Sequence, residues 1–219
     1  MTKGRYQFKS LNYFSSVRHE ILPLLPEYSK RVLEIGCGTG ATLAWLKQMG
    51  RCEETIGIEL MSDSLKATQL PIDQIISANI EEDVIDLPQH SFDLILCLDI
   101  LEHLNDPWQI LQFLVNQWLK PGGTVVVSLP NLRYSSVLIN LLIRGRFEYE
   151  NVGILDRTHL RFFTIHSAIS LLQSAGLKDI EVQFHPSEVK GKKSIVNFFT
   201  LGFFRDTFSW QILLKGSKL

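Results

Sequence analysis

The chain is 219 residues long, 45% hydrophobic and 21% charged, with a formal net charge of −1. One large domain with a sizeable core fits that length and composition, and extended disorder is excluded except at the ends. The near-zero charge excludes a global field that draws the protein to nucleic acid or to anionic lipid.

The first nine residues, Met1 to Lys9, lack the apolar core of a signal peptide. From residue 10 to 26 the pattern begins as an amphipathic helix. Leu11, Phe14, Val17, Ile21 and Leu22 share a face, and Pro23 and Pro26 stop it. Residues 1–30 thus form a helical segment ahead of the first strand. Val32, Leu33 and Ile35 read as that strand, short and buried. Gly36, Gly38 and Gly40 crowd into the next five positions, and a helix from Ala41 ends at Gly50, a natural residue just past a helix end. Residues 55–59 are a second strand that ends in the carboxylate of Glu59. Ser62 caps a short helix through Thr68, and residues 74–78 form a third strand, followed by Asn79, Ile80 and Glu81.

Residues 92–98 are an almost unbroken apolar run, as in parallel strands buried on both faces. Asp106 is a cap and Pro107 a first helical residue. The helix they open buries Trp108, Leu111, Leu114, Val115 and Trp118. Pro121-Gly122-Gly123 ends that connection, and residues 124–129 make the fifth strand. Strands alternating with helices predict an α/β fold, a doubly wound and mostly parallel sheet.

The rhythm then breaks. Residues 130–163 are too long for a plain loop and form a cap insertion after the fifth strand, with a short apolar helix over 137–143 and a turn at Gly145. Thr164 opens another helix, which Gly176 closes. Residues 177–185 and 207–215 read as a sixth and a seventh strand around a second insertion, 186–206. Without a clear helix between them, they pair antiparallel at the sheet edge. The expected whole is one domain over 1–219, with a seven-stranded sheet and an antiparallel C-terminal edge strand.

Residues 137–143 and the pairs Phe198-Phe199 and Phe203-Phe204 are apolar patches within the insertions. They pack on each other as a cap, form a greasy acceptor pocket, or dock weakly on a partner or membrane surface. Lys190, Lys192 and Lys193 around Gly191 read as a solvated loop or as a site for an anionic headgroup. No run reaches the roughly 18 apolar residues of a membrane span. Cys37, Cys52 and Cys97 show no Cys-x-x-Cys and no metal-ligand spacing, so they read as reduced thiols of a cytoplasmic protein, and no metal is expected.

A strand that runs through a glycine-rich turn into a helix brings backbone N–H groups close to a ligand. Taken alone, Gly36, Gly38 and Ala41 also satisfy the dinucleotide fingerprint. The surroundings are more specific. Glu34-x-Gly36-x-Gly38-x-Gly40, then Glu59, then Asn79-Ile80-Glu81, then Asp99-Ile-Leu-Glu102-His103, then Pro121-Gly-Gly form an ordered series. This series resembles the Rossmann-like S-adenosylmethionine-dependent methyltransferases across residues 32–129.

The resemblance implies a set of roles. Gly36, Cys37, Gly38 and Gly40 carry the backbone toward the methionine part of S-adenosylmethionine, with Glu34 beneath as a polar anchor. Glu59 takes the ribose hydroxyls, and Leu60 and Met61 flank the adenine. Asn79 stands where the family usually has Asp and meets the adenine amino group, with Ile80 against the ring. An amide oxygen still accepts that hydrogen bond. Leu98 and Asp99 line the methionine amine, and S-adenosylhomocysteine is the product.

Methyl transfer is an in-line displacement that needs a nucleophile at about 3 Å, and an oxygen nucleophile usually needs a base as well. His19, His90, His166 and His185 read as solvated residues. His103, just past the fourth strand, and His159 are the catalytic candidates. His159 lies in a stretch, 155–164, that resembles a segment of bacterial small-molecule methyltransferases, including the quinone O-methyltransferase branch. The stretch groups Asp156, Arg157, His159 and Arg161. They form a substrate site, with Arg for an anionic or polyol group, or a salt-bridged lid.

Asn/Asp-Pro-Pro-Tyr/Phe is absent after the fourth strand, which departs from enzymes that methylate nucleobase and glutamine nitrogens. The expected activity is methyl transfer to a small-molecule acceptor, at oxygen. The rivals are an NAD(P)-dependent oxidoreductase and a non-catalytic S-adenosylmethionine-binding module.

Overall fold

The computed structural model describes residues 16–61, 70–184 and 205–219. Its centre is a seven-stranded sheet of order β3-β2-β1-β4-β5-β7-β6. The parallel part comprises β1 (Ser29–Ile35), β2 (Cys52–Glu59), β3 (Gln74–Ser77), β4 (Phe92–Leu98) and β5 (Leu119–Pro130). Helices α1 (Ala41–Gln48) and α2 (Pro107–Phe113) lie in its connections. After β5 come α3 (Ser135–Leu142), α4 (Ile165–Ser174), β6 (Lys178–Phe184) and β7 (Gln211–Ser217). β7 runs antiparallel between β5 and β6, so β6 holds the outer edge.

Alternation along the central strands builds two cores. Leu33 and Ile35 of β1 join Ile95 and Cys97 of β4 on one face of the sheet. Val32 joins Leu94, Leu96 and Leu98 on the other. Side chains of period two, buried on both faces, are what helices covering both sides require.

Register positions the site. Ile35 of β1 pairs with Ile58 of β2 and with Cys97 of β4. The carboxyl ends of the three strands therefore come out level. Strand order reverses between β1 and β4, and at such a switch point an open α/β sheet leaves a crevice.

Several expectations need correction. Among the described residues, the segment before β1 holds a 3-10 turn over His19–Leu24 with Pro23 inside it, rather than an α-helix running on to Leu22. Pro23 lacks the N–H that an α-helical bond would need there. Leu11 and Phe14 lie outside the described residues, as do Ser62 to Thr68, His185, Lys190 to Lys193 and the four insertion phenylalanines. Trp108 is 44% exposed, not buried. It sits in the first turn of a short helix whose inner residue is Leu111, and a π-helical turn over Leu114–Trp118 then brings Leu114, Val115 and Trp118 inward.

Pro121-Gly122-Gly123 lies within β5 rather than ahead of it. The pairing with β4 steps from Phe92↔Leu119 to Leu94↔Thr124, so the dipeptide of glycines is accommodated as an irregularity. Thr207 belongs to a 3-10 turn, and β7 starts four residues later. Helix α4 opens as expected: Thr164 and Ser167 form a reciprocal capping box. In the cap insertion, Val137 is buried while Leu142 and Ile143 are 77% and 78% exposed.

Candidate active site

A cavity of about 320 Å³ opens at the level ends of β1, β2 and β4. The chain leaves β1 through Gly36, Gly38 and Gly40, all at positive φ. At Gly36 a Cβ would also come within 2.9 Å of Ile100 Cδ1, so that position requires glycine twice over. Gly36, Cys37 and Gly38 line the cavity, as do Glu34, Glu59, Leu60, Met61, Ile80, Leu98 and Asp99. Gly40 and Asn79 do not. Gly40 is the left-handed cap of α1, packed under Ile72. Asn79 is buried, and its Oδ1 accepts the Glu81 N–H, so it shapes the turn after β3.

Glu59 holds the glycine turn to the end of β2. Its carboxylate accepts the N–H of Gly38 and that of Met61, each at 2.8 Å. Burial raises its pKa, and those N–H groups oppose the rise. Glu34 lies deeper, only 3% exposed, and its Oε2 accepts no hydrogen bond among the described residues. Burial pushes its carboxyl up to about 8, with Arg18 opposing and Glu59 reinforcing. Burial, with Glu34 and Glu59 nearby, also pushes the Cys37 thiol well up, so it stays neutral and is no nucleophile.

Asp99 turns the chain out of β4 at a φ of 50°. Its carboxylate accepts from Arg18 Nη1 at 2.6 Å, from Ser128 Oγ at 2.8 Å and from Gln211 Nε2 at 2.8 Å. Burial would raise its pKa, but the Arg18 charge and these hydrogen bonds hold it below the usual carboxylate range. Arg18, Ser16 and Glu20 from the segment before β1, Thr42 of α1 and Trp210 complete much of the wall. The sequence reading missed all of these, because an isolated Arg or Trp carries no spacing signal.

The two histidine motifs meet in the fold. Glu102 and His103 follow β4 in a 3-10 turn, and the backbone oxygen of Glu102 accepts the N–H groups of Leu160 and Arg161 at 2.8 and 3.0 Å. His159 is thereby set against His103, ring centroids 4.7 Å apart, with its Nε2 4.0 Å from Glu102 Oε1. All three side chains are buried, and His103 borders the cavity. Burial and the neighbouring His159 lower the His103 pKa to about 4. Glu102, His103 and His159 are also the one group of potential metal-ligand side chains found among the described residues. The sequence showed no such spacing, because the histidines lie far apart in the chain.

The other members of the 155–164 stretch go elsewhere. Asp156 is buried and binds the N–H and Oγ1 of Thr158, so it forms the turn. Arg157 is exposed, and Arg161, also exposed, donates to the Asn105 carbonyl. None of the three lines the cavity.

Fold and cavity define an open α/β protein that takes a nucleotide-like ligand at its switch point. A model of the methyltransferase domain family matches residues 8–182, and the chain belongs to that family of S-adenosylmethionine-dependent methyltransferases. The family reading displaces both the nicotinamide alternative and the non-catalytic one. The chain is 30% identical over 183 residues to the ubiquinone biosynthesis O-methyltransferase of Chromobacterium violaceum, covering 73% of this chain and 76% of that enzyme. The enzyme of the same name from Albidiferax ferrireducens is 30% identical over 159 residues, and the match spans 62% of its length. Among solved structures, an S-adenosylmethionine-dependent methyltransferase from Archaeoglobus fulgidus has the same fold, with a TM-score of 0.67, 20% identity and 98% of both chains covered. No helix among the described residues is long and apolar enough to cross a membrane.

Proposed function

We propose that the protein methylates an oxygen of a small-molecule acceptor, with the acceptor held between the cofactor cavity and the Glu102–His103–His159 cluster. The observation that carries this reading is the placement of His103, which borders the cavity on one side and meets buried His159 edge to face on the other. Imidazoles able to accept a proton beside the cofactor site suit a hydroxyl, which must lose a proton, better than an amine, which need not.

The cavity's own chemistry fits the family's cosubstrate. The Glu34 carboxyl, whose Oε2 accepts no hydrogen bond among the described residues, and the Asp99 carboxylate stand where an amino acid tail would lie. Glu59 offers acceptor oxygens for ribose hydroxyls, and Met61 and Ile80 offer apolar walls for a flat ring. When bound, S-adenosylmethionine supplies a sulfonium methyl; one bond forms to the acceptor oxygen while the carbon–sulfur electron pair stays on sulfur. His159 and His103 serve the proton side of that step. The names of the Chromobacterium and Albidiferax relatives, both O-methyltransferases, support the same assignment.

The test is transfer of labelled methyl from S-adenosylmethionine to a panel of phenols, sugars and amines. His159→Ala should cut turnover by about 10²-fold or more while S-adenosylhomocysteine binds as before. Methylation of amines alone, or a mutant with unchanged rate, would refute the oxygen reading.

A further inference from the structure

We infer that Trp210 is the acceptor-facing wall of the cavity and that buried Asn131 is the residue that positions it. The inference rests on the cofactor placement proposed above, and it holds whether the methyl goes to oxygen or to nitrogen.

The sheet order sets where each part of a ligand can lie. β2, β1, β4, β5 and β7 stand side by side, and neighbouring strands are about 4.8 Å apart, so the start of β7 lies about 19 Å across the sheet from the end of β2. Glu59 ends β2 and faces the ribose. Glu34 of β1 and Asp99, just past β4, face the amino acid tail. The cofactor thus uses the ends of β2, β1 and β4, and the β5 and β7 side is left to the acceptor. β7 runs antiparallel to β5 with Gln211 opposite Pro130, so its first residue emerges at the same edge as the carboxyl ends of the parallel strands. Trp210 immediately precedes that residue, is half-buried, and lines the cavity. An indole offers a large, rigid apolar face with a polar N–H at one edge, which suits a wall that a ligand must lie against.

Asn131 accounts for the placement of that wall. It is the first residue past β5 and is fully buried. Its backbone N–H donates to the Trp210 carbonyl at 2.8 Å. Its Nδ2 donates to the carbonyls of Asp206 at 2.7 Å and Ser209 at 2.9 Å, while its Oδ1 accepts the Arg133 N–H at 3.0 Å. Both amide hydrogens are spent on oxygens that can only accept, and the amide oxygen meets a donor. The Ser209 and Trp210 carbonyls belong to the two peptide units that flank the Trp210 Cα. Asn131 therefore holds the backbone on both sides of the ring.

The surrounding bonds fix the same turn from outside. Arg133 pairs with Asp206 at 3.1 Å, and Ser209 Oγ donates to the Gln211 carbonyl at 2.7 Å. Gln211 Nε2 in turn donates to Asp99. The acceptor wall and the Asp99 turn are thus parts of one hydrogen-bonded unit, in which Asn131 is the link to β5. Aspartate at this position would set carboxylate oxygens against two carbonyls and push the turn away.

The test uses the full chain labelled with 5-fluorotryptophan. Its four tryptophans give four fluorine signals, and Trp210→Phe identifies that of Trp210. The probes are S-adenosylhomocysteine and an S-adenosylmethionine analogue with an allyl group in place of the methyl, which projects from sulfur toward the acceptor. The analogue should shift the Trp210 signal, and S-adenosylhomocysteine should leave it in place. Equal shifts by both, or by neither, would overturn the wall. With the best acceptor from the labelled-methyl panel, Trp210→Leu should raise the acceptor KM by about tenfold, more than it lowers kcat, and Trp210→Phe should restore most of the loss. Asn131→Asp should displace the Trp210 signal in the ligand-free protein and raise the acceptor KM in the same sense, with S-adenosylhomocysteine affinity within about threefold of wild type. Arg133→Met loosens the same turn from its more exposed side and should give a smaller displacement. A Trp210 signal unmoved in both variants would overturn the positioning role. Failure of the oxygen reading would show instead as methyl transfer to amines alone, with the Trp210 results unaffected.

Discussion

Arg18 Nη1 lies 2.6 Å from Asp99 Oδ2, joining residues 81 positions apart. The contact ties the segment ahead of the sheet to the turn that leaves β4. Ser128 of β5 and Gln211 of β7 bind the same carboxylate. One acidic side chain at the cavity wall thus gathers four parts of the chain, and the left-handed backbone of Asp99 is held by that network. Strain of this kind persists where the surroundings over-determine it.

The pair is partly exposed, at 18% and 26% of the two side chains, so its coupling should be modest. Arg18→Met should cost about 1–2 kcal/mol, because Asp99 keeps its bonds to Ser128 and Gln211. A double-mutant cycle with Asp99→Asn, read by urea unfolding, should return a coupling of about 1 kcal/mol. Additive losses would mean that the two residues do not act together.

Glu34 makes stability depend on pH. Its carboxyl is raised by burial to about 8, so the folded protein keeps the proton over a range in which the unfolded chain has released it. The folded state then binds more protons than the unfolded one, and stability falls as pH rises. The contribution is full below about pH 4.5 and is lost progressively toward pH 8. Its size is on the order of a few kcal/mol. Glu34→Gln, which is neutral throughout, should flatten this slope in urea unfolding at pH 5, 6.5 and 8. Parallel pH profiles for mutant and wild type would show that Glu34 is ionised in the folded state.

What the sequence revealed follows from how locally each feature is encoded. β4 was legible to the residue, because an apolar run bounded by a turn and an acid is a local pattern. The glycine turn, Glu59 and Asp99 were legible because chain connectivity alone brings strand ends to one edge. Arg18 was not, since its role is set by a partner 81 residues away. His103 and His159 were each picked out, but their meeting depends on backbone bonds from the 158–161 turn to Glu102, which no spacing encodes. Trp108 failed for the opposite reason. Apolar content does not by itself mean burial: in this short helix Pro107 and Leu111 face inward while Trp108 does not, and the inner face is carried on by the π-helical turn over Leu114–Trp118.

Glu59 is the residue on which cofactor affinity should depend most directly. Both its oxygens already anchor backbone N–H groups, which fixes the carboxylate at the cavity wall. Glu59→Gln keeps one acceptor but sets an amide NH₂ against a backbone donor. Affinity for S-adenosylhomocysteine should fall by about 1–3 kcal/mol in calorimetry, with the circular dichroism spectrum unchanged. Undiminished affinity would confine Glu59 to bracing the turn.

Gly57 offers a test of how the sheet sets the shape of the cofactor turn. It sits in mid-β2, paired with Glu34 of β1, directly beneath Cys37 of the glycine turn. A Cβ at Gly57 would overlap Cys37 Sγ, stand 3.1 Å from Cys37 Cβ and touch Leu43 Cδ1 at 3.4 Å. Gly57→Ala therefore overpacks the space between sheet and turn and should cost about 1–3 kcal/mol. The relief would come from moving residues 36–38 into the cavity, so S-adenosylhomocysteine affinity should fall as well. Cys37→Ala removes the sulfur that collides. In the Gly57→Ala background it should recover most of both losses, although alone it costs stability by emptying a buried site. Rescue of this sign is non-additive in the direction that steric contact demands. Simple addition of the two losses would show that the turn and β2 do not bear on one another as the packing implies.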